Sequence, residues 1–172
     1  MDFLPLGLKL AGETVLLAGG GDTALRKARL LTRAGARLRL VAPAWRIDLG
    51  ELVEQGGGVC HPRRFEESDL DGARLVVAAT DDGTVNSHIA GLCAQRGVPV
   101  NVVDQPRLSS FVFPALIDRD PLFIAISSSG ASPVLVRRLR PELEAWVPAR
   151  CGPPAALRGP VRESPALPLP AR

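Results

Sequence analysis

At 172 residues and 46% hydrophobic content, the chain has room for one globular domain with a sizeable core and a short appendage. Its formal charge of +3 comes almost wholly from arginine, since Lys9 and Lys27 are the only lysines, and no basic run with interleaved aromatics accompanies it, which excludes nucleic acid as the main partner. The three cysteines, Cys60, Cys93 and Cys151, form no C-x-x-C pair, which argues against a disulfide framework and a zinc site. With no apolar leader and no membrane-length apolar run, a cytoplasmic protein without membrane contact is expected. The arginine bias suits bidentate recognition of carboxylate or phosphate, and a biased genomic composition explains it equally well.

Residues 2–13 read as a lead-in, with Phe3-Leu4-Pro5-Leu6 set to pack an edge and Gly12 turning into a first strand over 14–18. That strand is a continuous apolar run, the pattern of a strand buried on both faces. It ends in Gly19-Gly20-Gly21-Asp22-Thr23-Ala24, which reads as G-x-G-x-x-A with Gly19, Gly21 and Ala24 at the fingerprint positions of a dinucleotide turn. The first glycine permits the turn, the second lets backbone approach a pyrophosphate, and the small third residue packs helix on strand. A purely structural strand-to-helix turn has the same spelling. A helix over 23–34 follows, with Ala24, Ala28 and Leu31 on one face and Gly35 as its stop.

Alternation of Leu38 and Leu40 with arginines predicts a second strand over 37–41, ended by Pro43. A helix over 47–55, a short strand over 59–61 and a helical turn near 65–70 come next. The run 75–79 predicts a fourth strand, then Thr80-Asp81-Asp82, a helix over 83–96 and a fifth strand over 98–103. Strand and helix thus alternate to Val103, which implies right-handed crossovers and a Rossmann-like α/β doubly wound parallel sheet of order 3-2-1-4-5. Past Asp104 the rhythm changes: strand-like runs over 110–117 and 122–126 flank Asp118-Arg119-Asp120-Pro121, a hairpin turn. After the small-residue loop 127–131, Ser132 is a good N-cap with Pro133 at the first helical position, and Pro141 is expected to break or kink the helix. The Pro/Ala/Arg-rich stretch 148–172 is expected to be disordered. The expected division is a nucleotide-binding domain over 1–104, a hairpin and helix over 105–147, and the tail.

Several stretches in order resemble one family, the precorrin-2 dehydrogenase domain of siroheme synthases, often coupled to sirohydrochlorin ferrochelatase activity. They are Gly19 to Ala24 with Arg26-Lys27-Ala28, then Ala78-Ala79-Thr80-Asp81-Asp82 with Val85-Asn86, then Asn101-Val102-Val103-Asp104. Phe111, Pro114-Ala115, Asp118-Arg119, and Ser127-Ser128 leading to Ser132-Pro133-Val134-Leu135 complete the match, which runs to about Trp146. The resemblance implies NAD-dependent oxidation of the tetrapyrrole precorrin-2 to sirohydrochlorin, with Fe²⁺ then inserted to give siroheme in bifunctional members. It also implies a homodimer. Pro141 and the proline-rich end stand where family members continue into dimerising helices, so dimerisation and chelation are the functions most exposed to loss. A non-catalytic or degenerate dinucleotide-binding module, redox-sensing or regulatory, is the alternative.

The resemblance assigns catalysis to Asp104, which lies past the carboxyl end of the fifth strand, where open α/β sheets place ligands. A carboxylate there serves both proton removal during dehydrogenation and removal of pyrrole N–H protons during metal insertion. Asp22 and Thr23 match the family's NAD contacts, with helix capping as the plain alternative, and Pro43 and Ala44 match its adenosine side. No Asp or Glu stands near Ala42 to receive ribose hydroxyls, and Arg39 and Arg46 raise NADP, although the family uses NAD. Thr80, Asp81 and Asp82 either line the nicotinamide side or, for Asp82, cap the next helix; Asn101 either holds backbone near the cofactor or pins a turn. Ser127 and Ser128 precede a helix N-terminus suited to the substrate's carboxylates. Cys60, His61 and His88 read as structural, and no metal cage is evident, so iron enters as a substrate held by the tetrapyrrole.

Overall fold

Val15, Leu16, Leu17 and Ala18 are wholly buried, and strand β1 (Thr14–Ala18) is the central strand of a five-stranded sheet. Its side chains alternate between two cores. Val15 and Leu17 pack under helices α1 (Asp22–Arg33) and α2 (Ile47–Gln55), while Leu16 and Ala18 pack under α3 (Gly83–Arg96). The computed structural model describes residues 3–119, 122–128 and 132–147. It comprises two compact units, one ending at Phe113 and one beginning at Pro114.

In the first unit β1 is flanked by β2 (Arg37–Val41) and β4 (Leu75–Ala78), and β3 (Val59–His61) and β5 (Val100–Val102) lie outside them. All four pairings are parallel, and the order is β3-β2-β1-β4-β5, the doubly wound arrangement expected from the alternation of elements. Because every pairing is parallel, the loops after β1, β4 and β5 open onto one rim, and the strand order changes direction between β1 and β4. The sheet supports helices on both faces, which accounts for the continuous apolar spelling of β1 and β4.

The lead-in packs differently from expectation. Leu4 and Leu6 are exposed, and Leu10 alone of the early leucines is buried, against the α1 core. Around β3, a fork from Arg63 closes on Asp69, with Nη2 to Oδ1 at 2.7 Å and Nη1 to Oδ2 at 2.8 Å. Asp69 also accepts from the Glu66 amide at 2.9 Å, and Arg39 donates to the carbonyls of Asp69 and Asp71 at 2.6 and 2.9 Å. These bonds tie the Glu67–Leu70 turn of 3₁₀ helix to the sheet edge.

The strand expected over 110–117 begins only at Ala115. Before it, Ser109 and Ser110 turn their hydroxyls onto the edge of β5, accepting from the amides of Val102 at 2.9 Å and Val100 at 2.8 Å. The segment thus satisfies the donors of an outer strand instead of extending into a hairpin, a usual way to close a sheet edge. Phe113 ends the unit beneath Lys27, whose ammonium sits 4.0 Å from the ring centroid, and burial beside Arg26 lowers the lysine's pKa.

The second unit is an antiparallel pair, β6 (Ala115–Arg119) and β7 (Leu122–Ile126), with helix α4 (Pro133–Trp146). Ser132 caps α4, its Oγ accepting from the Leu135 amide at 3.3 Å. The helix continues through Pro141 to Trp146. The missing N–H removes one rung, but Arg138–Glu142 (3.7 Å) and Arg140–Glu144 (3.9 Å) bridge the same turn, and Arg119 of β6 reaches Glu144 at 2.8 Å. The tail 148–172, residues 120 and 121 of the expected turn, and residues 129–131 of the expected loop lie outside the described residues. Among the described residues no helix is long and apolar enough to cross a membrane.

Burial alone raises the Asp69 carboxyl, but the Arg63 fork and the Glu66 amide outweigh it and hold the group below the usual carboxylate range. A depressed folded pKa contributes stability that is present above the unfolded value of about 3.9 and is lost as pH falls through the folded value. Urea unfolding as a function of pH therefore has an acid limb below about pH 4 in the wild type. Asp69→Asn is expected to flatten that limb and to remove about 2 kcal/mol at pH 7; an unchanged acid limb would contradict the assignment.

Candidate active site

The three glycines after β1 do three different things. A Cβ on Gly19 would meet the Ala79 carbonyl oxygen at 2.1 Å, and its φ of +120° is one that side chains rarely adopt. A Cβ on Gly20 would meet the Ala44 carbonyl oxygen at 2.2 Å. These two positions let the turn lie flat against the ends of β4 and β2, secured by Gly19 N–H to the Val41 carbonyl and Arg46 N–H to the Gly20 carbonyl, both at 3.0 Å. At Gly21 a Cβ would meet nothing within 4 Å. Gly21 is also the N-cap of α1 and supplies no side-chain acceptor, so the first-turn amides point toward open space at the positive end of the helix dipole. Ala24 behind it is wholly buried, as close packing of helix on strand requires.

That open space is a cleft of about 490 Å³ lined by Gly21, Asp22 and Thr23 on one side and by Thr80, Asp81, Asn86, Val103 and Asp104 on the others. Asp104 is the one non-glycine residue with positive φ among the described residues, at 58°. Its left-handed backbone follows a tight turn in which Gln105 N–H returns to the Val102 carbonyl at 3.3 Å. Aspartate tolerates this region better than most side chains, and held strain of this kind concentrates at functional sites.

A second cleft of about 380 Å³ opens on the other side of the glycine turn. Its lining includes Gly19, Gly20, Ala42, Pro43, Ala44, Asp82 and His88, and it shares Ala79, Thr80 and Asp81 with the first. Adjoining clefts on a glycine turn with exposed helix amides suit an extended, doubly anionic dinucleotide: diphosphate over Gly21, one nucleoside to each side.

The side chains around this rim divide into fixed and available. Arg46 forks onto Asp48 at 2.9 and 3.1 Å and reaches Asp22 at 3.0 Å, which raises the guanidinium's pKa and lowers that of Asp48, chiefly through their mutual hydrogen bonding. Arg39 is held by backbone carbonyls, so neither arginine raised for NADP is unengaged. Asp82 caps α3, accepting from the Thr84 and Val85 amides at 2.8 and 3.3 Å, and these bonds lower its pKa. Asn101 donates to the Phe111 carbonyl at 3.0 Å and lines neither cleft. Ser127 and Ser128 belong to the second unit, where Ser128 Oγ accepts from the Ser132 amide at 3.0 Å before the start of α4.

Two features were given no role in the site by the sequence reading. Asn86, 4% exposed, grips Thr80 three times: its Oδ1 accepts from the Thr80 hydroxyl at 2.7 Å and amide at 3.2 Å, and its Nδ2 donates to the carbonyl at 2.9 Å. A polar residue on the next helix, six positions after Thr80, was the available signal. Phe65 and His88, in edge-to-face contact at 6.4 Å, wall the second cleft with Arg64. Two segments far apart in sequence, the loop at Arg64-Phe65 and helix α3, build that wall, so no local pattern announces it. Cys93 is buried and its thiol is pushed up to about 11 by desolvation, and burial also raises Cys60, so neither is a reactive nucleophile. Among the described residues no group of three His, Cys, Asp or Glu is placed to hold a metal ion.

Known proteins share this construction. A family model described as "Putative NAD(P)-binding" matches residues 6–115, and one described as "Sirohaem biosynthesis protein central" matches residues 119–145. The chain is 52% identical over 157 residues to a siroheme synthase of Pseudomonas paraeruginosa and 53% identical over 157 residues to one of Azotobacter vinelandii. Each alignment takes in 91% of this chain, which spans about a third (34%) of either relative's length. A solved structure titled "SirC, precorrin-2 dehydrogenase" superposes with a TM-score of 0.74 at 29% identity, covering 84% of this chain and 71% of that one. With more than half its length inside the first match, the chain belongs to the putative NAD(P)-binding family, in the company of proteins of sirohaem biosynthesis.

Proposed function

We propose that the chain oxidises precorrin-2 to sirohydrochlorin with NAD as the hydride acceptor. The observation that carries this reading is the convergence, in one cleft, of the α1 amides at Gly21 to Thr23 with the strained Asp104. The names and similarity of the relatives support the substrate class, and Fe²⁺ insertion as a second activity rests on those names alone.

The amides of Asp22 and Thr23 bind the diphosphate, and Pro43 and Ala44 border the adenosine cleft. NAD supplies the hydride acceptor when bound. Asp104 takes the proton that the tetrapyrrole loses as its hydride departs, so two electrons and one proton leave with the hydride acceptor's reduction and one further proton reaches the carboxylate. The Asn86 grip on Thr80 keeps the shared wall between the clefts in place. In the second unit, the Ser127-Ser128 segment at the start of α4 binds substrate carboxylates. If iron is inserted, Asp104 accepts pyrrole N–H protons in the same way, with the metal as substrate. Cys60 and Cys93, free among the described residues, fit the reducing cytoplasm, where we place the reaction. Exposed Phe123, Val134, Leu135 and Trp146 on the second unit fit burial against a second copy of the chain.

Three outcomes are expected. With NAD and freshly made precorrin-2, the wild type forms NADH and sirohydrochlorin, while Asp104→Ala loses on the order of 10²-fold or more in kcat with its Kd for NAD unchanged; turnover undiminished in the variant refutes the proton acceptor, and binding without turnover in the wild type leaves a non-catalytic module. Gly21→Ala keeps the wild-type Tm yet weakens NAD about tenfold or more by filling the approach to the diphosphate, whereas Gly19→Ala lowers stability by about 3 kcal/mol or more. The reverse pattern would displace the dinucleotide from this turn. Sedimentation is expected to show a dimer that Phe123→Asp dissociates, and a wild-type monomer would remove the second copy from the account.

A further inference from the structure

The dinucleotide fingerprint calls for an acid at the end of β2 to receive the adenosine ribose hydroxyls, and here that strand end offers Ala42, Pro43 and Ala44. Two carboxylates line the same cleft from its opposite wall, Asp81 and Asp82. Asp82 is committed to the N-terminus of α3 through the Thr84 and Val85 amides. Asp81 is exposed, and its carboxylate makes no hydrogen bond or ion pair with the described residues. It is also held in a fixed frame, because the preceding Thr80 is pinned at its amide, hydroxyl and carbonyl by the buried Asn86.

We propose that Asp81 replaces the missing acid of β2: it accepts the adenosine ribose hydroxyls from the β4 side of the cleft and selects NAD over NADP. The geometry that permits this is the close seating of the glycine turn on β4, where a Cβ on Gly19 would lie 2.1 Å from the Ala79 carbonyl. With the turn so near, the wall carrying Asp81 stands opposite Pro43 and Ala44 across a single cleft, and a ribose between them meets a carboxylate from one side only. A carboxylate accepts both hydrogens of a ribose diol and repels a 2′-phosphate. Arg39 and Arg46 are engaged elsewhere, so the cation left to favour a 2′-phosphate is Arg64, set against two carboxylates in the same cleft.

This inference rests on the dinucleotide reading, and binding separates the two. Calorimetric titration of wild type and Asp81→Asn with NAD, NADP and nicotinamide 2′-deoxyadenine dinucleotide reads the affinities without any turnover. Asp81→Asn is expected to lose about tenfold or more for NAD, to lower the NAD/NADP affinity ratio, and to bind NAD and its 2′-deoxy analogue alike, whereas the wild type prefers NAD. Because the side chain is exposed and near-isosteric, Tm stays unchanged, and Arg64→Ala weakens NADP alone. A ratio unmoved by Asp81→Asn, or equal discrimination against the 2′-deoxy analogue in both proteins, overturns the proposal while leaving the dinucleotide site standing. Absence of all dinucleotide binding in the wild type would overturn both.

Discussion

The rim depends on one steric contact. Gly19 lies so near the end of β4 that a Cβ would sit 2.1 Å from the Ala79 carbonyl oxygen, and Gly20 lies equally near Ala44 after β2. No side chain fits at either place, and from this follows the rest of the rim. The ends of β1, β2 and β4 are drawn together, α1 starts with its amides uncovered at Gly21, and a cleft is left on each side of the turn. The buried alternation of β1 holds this arrangement from below, with Leu17 anchored to one helical layer and Leu16 to the other.

Charge on the first unit is arranged so that most arginines are occupied. Arg63 with Asp69, Arg46 with Asp48 and Asp22, and Arg39 with two carbonyls each fasten a loop to the sheet. The Arg63–Asp69 fork involves a carboxylate that is 3% exposed and carries structural weight, whereas the Arg46 pairs are exposed to solvent, which screens them, so they mainly orient the loop after β2. At the rim, Asp81 and Asp104 on the ends of β4 and β5 make no hydrogen bond or ion pair with the described residues, and Arg64 stands beside the second cleft. Fixed cations behind and available carboxylates in front suit a site that handles protons and hydroxyl groups.

The first unit was legible wherever an apolar run met strong punctuation. β1, β2, α2 and α3 lie where their spelling places them, because Gly19, Pro43, Gly56 and Gly97 each end an element by a local backbone effect. The segment 110–114 was misread as strand because its apolar residues spell one, whereas the Ser109 and Ser110 hydroxyls and the Ser110 amide bind the β5 edge. The helix persists past Pro141 with help that no local pattern announces, since Arg119 on β6 reaches Glu144 one turn beyond it. In the site, Gly21, Asp22, Thr23, Asp81 and Asp104 come together on one cleft, as a rim formed from consecutive strand ends must. Asn101 points instead to Phe111, since β5 is an outer strand whose side chains serve its own cover. The Phe65–His88 wall is a tertiary product and had no local signature.

The central claim is that a dinucleotide lies across the glycine turn, with its diphosphate on the α1 amides. Amide chemical-shift mapping of the labelled chain during titration with NAD tests it most directly. The account predicts the largest shifts at Gly21, Asp22 and Thr23, with further shifts at Ala44 and at Thr80 to Asp81 on the two flanking walls. Saturable shifts confined to other surfaces, with the Gly21 to Thr23 amides unmoved, would contradict it.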